Sequence, residues 1–201
     1  MKTTFFLDID QTISTGYVGR DLAASVRYYR DLGLELPEII ASWPDLFQLP
    51  AVLARHETLP GALIGAWRLD GAGDVGYATV RAPDVEQITR DWLYREGFPK
   101  PERLVMCQSV AQKVLALARS PGRLVLVDDR WRKALEVWPL IVKHDSTLAV
   151  DLRQRLTLVA FGASQADLPE ASVVPVVALP NWAQIDAVLM VIHEAVVPKK
   201  G

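Results

Sequence analysis

Six short apolar runs, most of them far enough apart for a helix to fit between neighbours, constrain this chain more than any other feature. They lie at residues 4–7, 75–80, 103–106, 124–127, 156–161 and 173–179. Runs that are apolar throughout suit strands buried on both faces. The stretches between them carry helical patterns. Residues 84–96 put Val85, Ile88, Trp92 and Leu93 on one face, with Gly97 following as a stop. Ser109 with Gln112, and Asn181 with Gln184, have capping-box spacing ahead of apolar periodic segments. The expectation is an α/β fold with a doubly wound, mainly parallel sheet covered by helices on both faces. In such a fold, ligands bind beyond the C-terminal ends of the strands.

Residues 14–58 break this rhythm. A helical pattern around Leu22, Val26 and Tyr29 is followed by Pro37, Trp43, Pro44, Phe47 and Pro50, with no obvious buried strand. The segment reads as a small helical insertion after the first strand. The expected division is therefore a core of residues 1–13 and 59–201 and an inserted subdomain of residues 14–58.

Composition narrows the function. A chain of 201 residues buries roughly 70% of its unfolded surface and needs no disulfide or structural metal to hold a core. The single cysteine, Cys107, forms no internal bridge and points to a reducing compartment, so a cytoplasmic location is expected. The apolar start at Phe5 and Phe6 stops at Asp8, too soon to export or anchor the chain, and no membrane association is expected. The 22 basic and 24 acidic residues are interspersed, which removes the footprint of a nucleic-acid binder and favours small-molecule partners.

Candidate chemistry gathers at strand ends. The first run passes directly into Asp8-Ile9-Asp10-Gln11-Thr12. In extended backbone, residues i and i+2 point the same way, so Asp8 and Asp10 can share one small space. Two carboxylates that close repel unless a cation lies between them, and hard oxygen ligands suit magnesium. A strand ending in a turn, with Asp10 or Thr12 capping the next helix, fits the same residues. A second acid pair, Asp128 and Asp129, ends the run at 124–127, and a parallel sheet brings it to the same edge as the first. Its alternative is a surface ion pair of Asp129 with Arg130 or Arg132. Thr79 lies at or near the end of another run and has a hydroxyl to offer a phosphate oxygen, or simply packs as a β-branched residue. Lys113, on the helix before the acid pair, can neutralise an anion at that edge; Lys100, between Pro99 and Pro101, is its rival.

Together these elements resemble the haloacid dehalogenase-like (HAD) superfamily of phosphohydrolases. The family's DxDxT motif matches Asp8, Asp10 and Thr12; its strand-end Ser or Thr matches Thr79; its lysine best matches Lys113; its strand-end acid pair matches Asp128 and Asp129. Arg81 and the following helix, ending Trp-Leu-x-x-x-Gly-Phe-Pro, also resemble the stretch after the second motif in small phosphatases of this kind. Gln11 departs from the pattern, standing where the family usually has glycine.

The resemblance implies a Rossmann-like core with a C1-type helical cap and a magnesium-dependent phosphatase acting on a small phosphomonoester, such as a nucleotide or a sugar phosphate. Asp8 would be the nucleophile, forming an aspartyl-phosphate. Asp10 would be the general acid and base, a role that asks for a raised pKa. Thr79 and Lys113 would bind phosphate. Mg2+ would be held by Asp8, Asp10 through its backbone carbonyl, Asp128 and Asp129. A phosphotransferase or mutase, or a non-catalytic binding module, are the alternatives. Tyr28, Tyr29, Trp43 and Phe47 are expected either to line the pocket mouth or to form the core of the insertion. No histidine is given a role, and a homodimer interface in residues 131–140 is left open.

Overall fold

In the computed structural model, residues 2–15 and 21–194 are described, so residues 16–20 of the expected insertion and residues 1 and 195–201 of the expected core lie outside the described residues. The chain begins with β1 (Thr3–Leu7), followed by β2 (Ser14–Thr15), α1 (Leu22–Asp31), α2 (Trp43–Phe47), α3 (Pro50–Leu53) and β3 (Glu57–Thr58). Then come α4 (Ala62–Ala72), β4 (Asp74–Val80), α5 (Glu86–Arg95), β5 (Leu104–Cys107), α6 (Val110–Leu117) and β6 (Arg123–Asp128). The C-terminal part holds α7 (Trp131–Glu136), α8 (Trp138–His144), α9 (Ser146–Arg155), β7 (Leu156–Phe161), β8 (Val176–Leu179) and α10 (Ile185–Glu194).

The main sheet has six strands in the order β5-β4-β1-β6-β7-β8, and every pairing in it is parallel. All six apolar runs appear as strands. The third is shifted by one residue, to end at Cys107, and the last is shortened to Val176–Leu179, because Pro175 at its start has no N–H to offer a ladder. Alternation along the strands divides the core into two layers. Phe5, Leu7, Val75, Tyr77, Val125 and Val127 face one side, with Trp92 and Leu93 of α5, Ala66 of α4 and Val188 of α10. Phe6, Ala78, Leu124 and Leu126 face the other, with Val114 of α6, Ile141 of α8 and Leu152 of α9. In the segment where an interface was left open, Trp138 is buried in the second layer and Trp131 in a small cluster with Ala160 and Ala163.

The chain reverses direction across the sheet at β1, which lies between β4 and β6. That switch point is where an open parallel sheet leaves a crevice at its C-terminal edge. The predicted helix at 84–96 opens as a 3-10 turn over Pro83–Val85 before α5, and Gly97 stops it with φ +78.

Residues 14–58 are not wholly helical. β2 and β3 pair antiparallel, Ser14 opposite Thr58 and Thr15 opposite Glu57, so the two passages between β1–α4 and the intervening helices run side by side. The helices have an apolar cluster of their own, made by Val26, Tyr29, Leu46 and Val52. Among the described residues no helix is long and apolar enough to cross a membrane.

The α4 helix is held close to the 3-10 turn Trp182–Gln184 by a glycine. A Cβ added at Gly65 would lie 2.2 Å from the Trp182 ring. Trp182 is fully packed, and its indole Nε1 donates to the Thr12 carbonyl at 2.7 Å, so the ring has nowhere to move. Gly65→Ala is expected to destabilise the protein by about 1–3 kcal/mol through overpacking. A urea midpoint equal to that of wild type would contradict this packing.

Candidate active site

The crevice at β1 is a cavity of about 290 Å³ lined at its base by Asp8, Thr79, Lys113, Asp128 and Asp129 and at its mouth by Trp43, Phe47 and Gln48. Each basal residue is delivered by a strand end or a first helical turn. Asp8 follows β1, and its N–H donates to the Val127 carbonyl at 2.9 Å, continuing the β1–β6 ladder by one bond. Asp128 ends β6 directly alongside. Lys113 lies in the first turn of α6, whose start is fixed by the Ser109 hydroxyl accepting from the Gln112 N–H at 3.2 Å. Its ammonium, 2% exposed, donates to Asp8 Oδ1 and Asp128 Oδ2, both at 2.7 Å.

The remaining contacts set the two acid segments against each other. Asp128 Oδ1 accepts from the Arg130 N–H at 2.7 Å. Thr12 Oγ1 accepts from the Asp129 N–H at 3.1 Å, so the third residue of the first motif braces the second acid pair. Gln11, where glycine was expected from the resemblance, takes φ +61 and donates its N–H to the Ser14 carbonyl at 2.8 Å. The tight turn is made without glycine, at a local conformational cost of about 1–2 kcal/mol.

Carboxylate oxygens of Asp8, Asp128 and Asp129 lie within 4.8 Å of one another. Burial pushes the Asp8 carboxyl up; Lys113 pulls it down, but Asp128, Asp10 and Asp129 reinforce burial, and the net direction is well above the ordinary range. Asp129 is raised to about 6 by burial and by Asp128. Lys113 is raised, since the pull of Asp128 and Asp8 outweighs the burial that would lower it. Three carboxylates facing one ammonium leave two negative charges in excess, the charge of one divalent cation. Asp129 Oδ1 is buried with no hydrogen-bond partner among the described residues. An unpartnered buried carboxylate oxygen beside two others fits a hard divalent cation. Thr79 Oγ1 is likewise buried and unpartnered, on the wall of the same cavity.

No protein-family model and no curated protein matches the sequence. Solved structures do. A HAD-superfamily hydrolase, subfamily IA, variant 1, from Geobacter sulfurreducens PCA aligns over 94% of this chain and 96% of its own, at 14% identity and a TM-score of 0.53. The chain has the haloacid dehalogenase-like fold. Two proteins described as haloacid dehalogenase-like hydrolases align over similar spans. One, from Burkholderia xenovorans LB400, covers 98% and 99% of the two chains at 17% identity and a TM-score of 0.48; the other, from Streptococcus pneumoniae, covers 94% and 98% at 12% and 0.49.

On this haloacid dehalogenase-like core, Asp8, Thr79, Lys113, Asp128 and Asp129 line one cavity. Lys100 does not join them. It pairs with Asp70 at 2.6 Å and with Asp74 at 2.8 Å, and Asp74 starts β4 while Thr79 lies near its end. Trp43 and Phe47 line the cavity, stacked on each other with ring centroids 5.3 Å apart. Tyr28 and Tyr29 do not; they belong to the apolar cluster of the insertion, with Tyr29 at its centre.

Asp10 departs from expectation in two ways. Its carboxylate lies outside the three-acid group, because Arg81 holds it through two bonds, Nη2 to Oδ1 at 2.6 Å and Nε to Oδ2 at 2.9 Å. A contribution of Asp10 to a metal would have to come from its backbone carbonyl. Nor is its pKa raised. Burial acts upward, but the charge and hydrogen bonds of Arg81, with His56 and Lys113, outweigh it and hold the carboxyl below its ordinary value.

Two residues at the site were not picked out from sequence. Arg81 was noted only as part of a pattern, and His56 was given no role. His56 immediately precedes β3; it is 4% exposed, with Nδ1 3.3 Å from Ser14 Oγ and 3.8 Å from Asp10 Oδ1. Because the Ser14 hydroxyl donates to the Ile9 carbonyl, Nδ1 is the donor toward it, which leaves Nε2 as an acceptor with no partner among the described residues. An arginine directly beyond a strand end, two residues after Thr79, was the available signal for Arg81; His56 has none in its local sequence.

Burial pushes His56 down to about 4, more than Asp10 pulls it up, and Arg81 adds to the lowering. A histidine whose folded value lies below its unfolded one binds its proton first in the unfolded chain. Its contribution to stability is therefore intact above pH 6.5 and lost as pH falls toward 4. Compared with wild type, His56→Gln should lose less stability over that interval in urea titrations. Parallel curves would contradict the burial of a neutral imidazole.

Proposed function

We propose that the protein is a magnesium-dependent phosphatase that hydrolyses a small phosphomonoester through an aspartyl-phosphate on Asp8. One observation carries this reading: the Asp8 carboxylate, just beyond β1 and bonded to the Lys113 ammonium, opens onto a cavity whose wall offers a threonine hydroxyl with no partner among the described residues. A carboxylate can attack a phosphate dianion only where positive charge and oriented donors offset the repulsion between them. Lys113 supplies fixed positive charge, and Thr79 and the backbone N–H groups beyond β1 are the available donors.

Asp8, Asp128 and Asp129 would hold the metal with the Asp10 carbonyl. When bound, magnesium would offset the two excess negative charges and polarise the phosphoryl oxygens. The chain's own groups do the rest. An Asp8 carboxylate oxygen bonds to phosphorus as the ester P–O bond breaks. Asp10 enters this step carrying the proton it took from water in the preceding turnover; the departing oxygen takes that proton and leaves as an alcohol. In the second half Asp10 takes a proton from water, the water oxygen bonds to phosphorus and the Asp8–phosphorus bond breaks, returning Asp8 and releasing phosphate. The Arg81 pair favours the ionised form of Asp10, the form that accepts the proton from water.

The segment at residues 14–58 would act as a cap, because Trp43, Phe47 and Gln48 close over the mouth of the cavity and the β2–β3 pair gathers both connections to the core. The leaving group would lie against the Trp43–Phe47 wall, which suits a flat or apolar group. The buried, unpaired Cys107 supports a reducing compartment, and we place the enzyme in the cytoplasm.

Phosphate release from a panel of aryl, nucleoside, sugar and alkyl phosphates tests this reading, with and without magnesium, for wild type and Asp8→Asn. The expected result is magnesium-dependent release that the substitution abolishes. Transfer of phosphate to an added hydroxyl compound would make the protein a phosphotransferase. Magnesium binding with no turnover on any ester would make it a binding module.

A further inference from the structure

Arg81 is among the most completely engaged charged groups of the fold. It follows Val80 at the C-terminal edge of β4 and is 6% exposed. Nε and Nη2 grip both oxygens of Asp10, and Nη1 donates to Thr89 Oγ1 at 2.9 Å. The Thr89 hydroxyl donates in turn to the Val85 carbonyl at 2.8 Å, one turn earlier in the same helical segment. Thr89 itself is fully buried. The guanidinium is thus fixed at its far end by α5 and presents a rigid planar fork at its near end.

The partner in that fork is exposed where Arg81 is not. The Asp10 side chain is 29% accessible and lines the same cavity as Asp8, Thr79 and Lys113. An aspartate has two rotatable side-chain bonds, and the buried Lys113 ammonium is a competing attraction for an unheld carboxylate. With all three nitrogens of Arg81 already holding protein oxygens, its geometry serves Asp10 rather than an incoming phosphate.

We propose that Arg81, anchored by Thr89, is the positioning residue for Asp10, fixing the carboxylate at the place where it passes protons to the leaving oxygen and from the hydrolytic water. The proposal rests on the phosphatase reading for its kinetic consequences. Proton transfer is sensitive to donor placement, and a misplaced general acid or base forfeits about 10²–10⁴-fold in rate. The loss is selective. A nitrophenolate leaves without a proton, whereas an alkoxide needs one, so formation of the aspartyl-phosphate depends on Asp10 for alkyl esters and hardly at all for 4-nitrophenyl phosphate.

The experiment compares kcat and kcat/KM of wild type, Arg81→Ala, Arg81→Lys and Thr89→Val on 4-nitrophenyl phosphate and ethyl phosphate, with the intact mass of the protein during turnover. For Arg81→Ala, kcat/KM should fall about 100-fold or more on ethyl phosphate and change little on the nitrophenyl ester. With the nitrophenyl ester kcat should still fall, because water attack needs the placed carboxylate, and protein carrying one phosphoryl group should accumulate. Arg81→Lys should share this pattern because a point charge lacks the fork; Thr89→Val should show it more weakly; added guanidinium should partly restore Arg81→Ala. Equal loss of kcat/KM on both esters would overturn the proposal, since a phosphate ligand or a purely structural residue gives that result. Crystal structures of wild type and Arg81→Lys decide the placement without turnover. An Asp10 carboxylate that is swung or disordered in the variant, with Asp8 and Asp128 unmoved, supports the proposal even if wild type hydrolyses neither ester, which would defeat the phosphatase reading alone. An Asp10 carboxylate left in place overturns it.

Discussion

The buried ammonium of Lys113, shared between Asp8 and Asp128, is the interaction on which the rest of this arrangement depends. It draws together the ends of β1 and β6 and the first turn of α6, tying the start of the chain to a helix and strand more than a hundred residues on. Removing one partner from a buried ion pair costs about 3–5 kcal/mol, because the survivor keeps its desolvation penalty without its attraction. Three acids crowded at one sheet edge are tolerable only with that cation and, on our reading, a second one. The fold therefore supplies a site already short of positive charge and facing an open crevice.

The two aspartates of the first motif are tied to different parts of the molecule. Asp8 is bound to the sheet through Lys113 and through the backbone ladder to β6. Asp10, two residues on, has turned to Arg81 at the end of β4 and lies near His56, next to the strand pair through which the inserted segment joins the core. This separation gives the two carboxyls opposite surroundings. Burial and neighbouring acids push one up, while a guanidinium holds the other down. Two identical side chains are thereby made chemically distinct, and the raised one, Asp8, is the one whose ionisation a bound cation beside it would restore.

Much of this was legible in the residues, for local reasons. A strand buried on both faces cannot disguise itself, so the apolar runs marked the sheet, and acids or a threonine directly beyond a run marked its C-terminal edge. Lys113 could be favoured over Lys100 only weakly, because the two are separated by three-dimensional position: one on a helix leaning over the C-terminal edge, the other engaged by Asp70 and Asp74 at the opposite end of β4. The grip of Arg81 on Asp10 spans 71 residues and has no local periodicity, so nothing near Asp10 announced that its carboxyl would be lowered. His56 is concealed for the same reason. Tyr28, Tyr29, Trp43 and Phe47 are alike in composition, and only the packing of α1 and α2 sends the first two into a core and the second two to a cavity wall. The short β2–β3 pair, two residues to a strand, is below what an apolar pattern can signal.

The central claim is that Asp8 is the residue that takes the phosphoryl group. The most direct measurement is chemical trapping: the full-length protein is mixed with magnesium and a phosphomonoester it turns over, quenched, reduced with borohydride and digested for peptide mass spectrometry. An aspartyl-phosphate is reduced to homoserine under these conditions, and the account predicts that change at Asp8 and at no other aspartate. Homoserine at Asp10, Asp128 or Asp129, or steady turnover with Asp8 unmodified at every time of quenching, would contradict it.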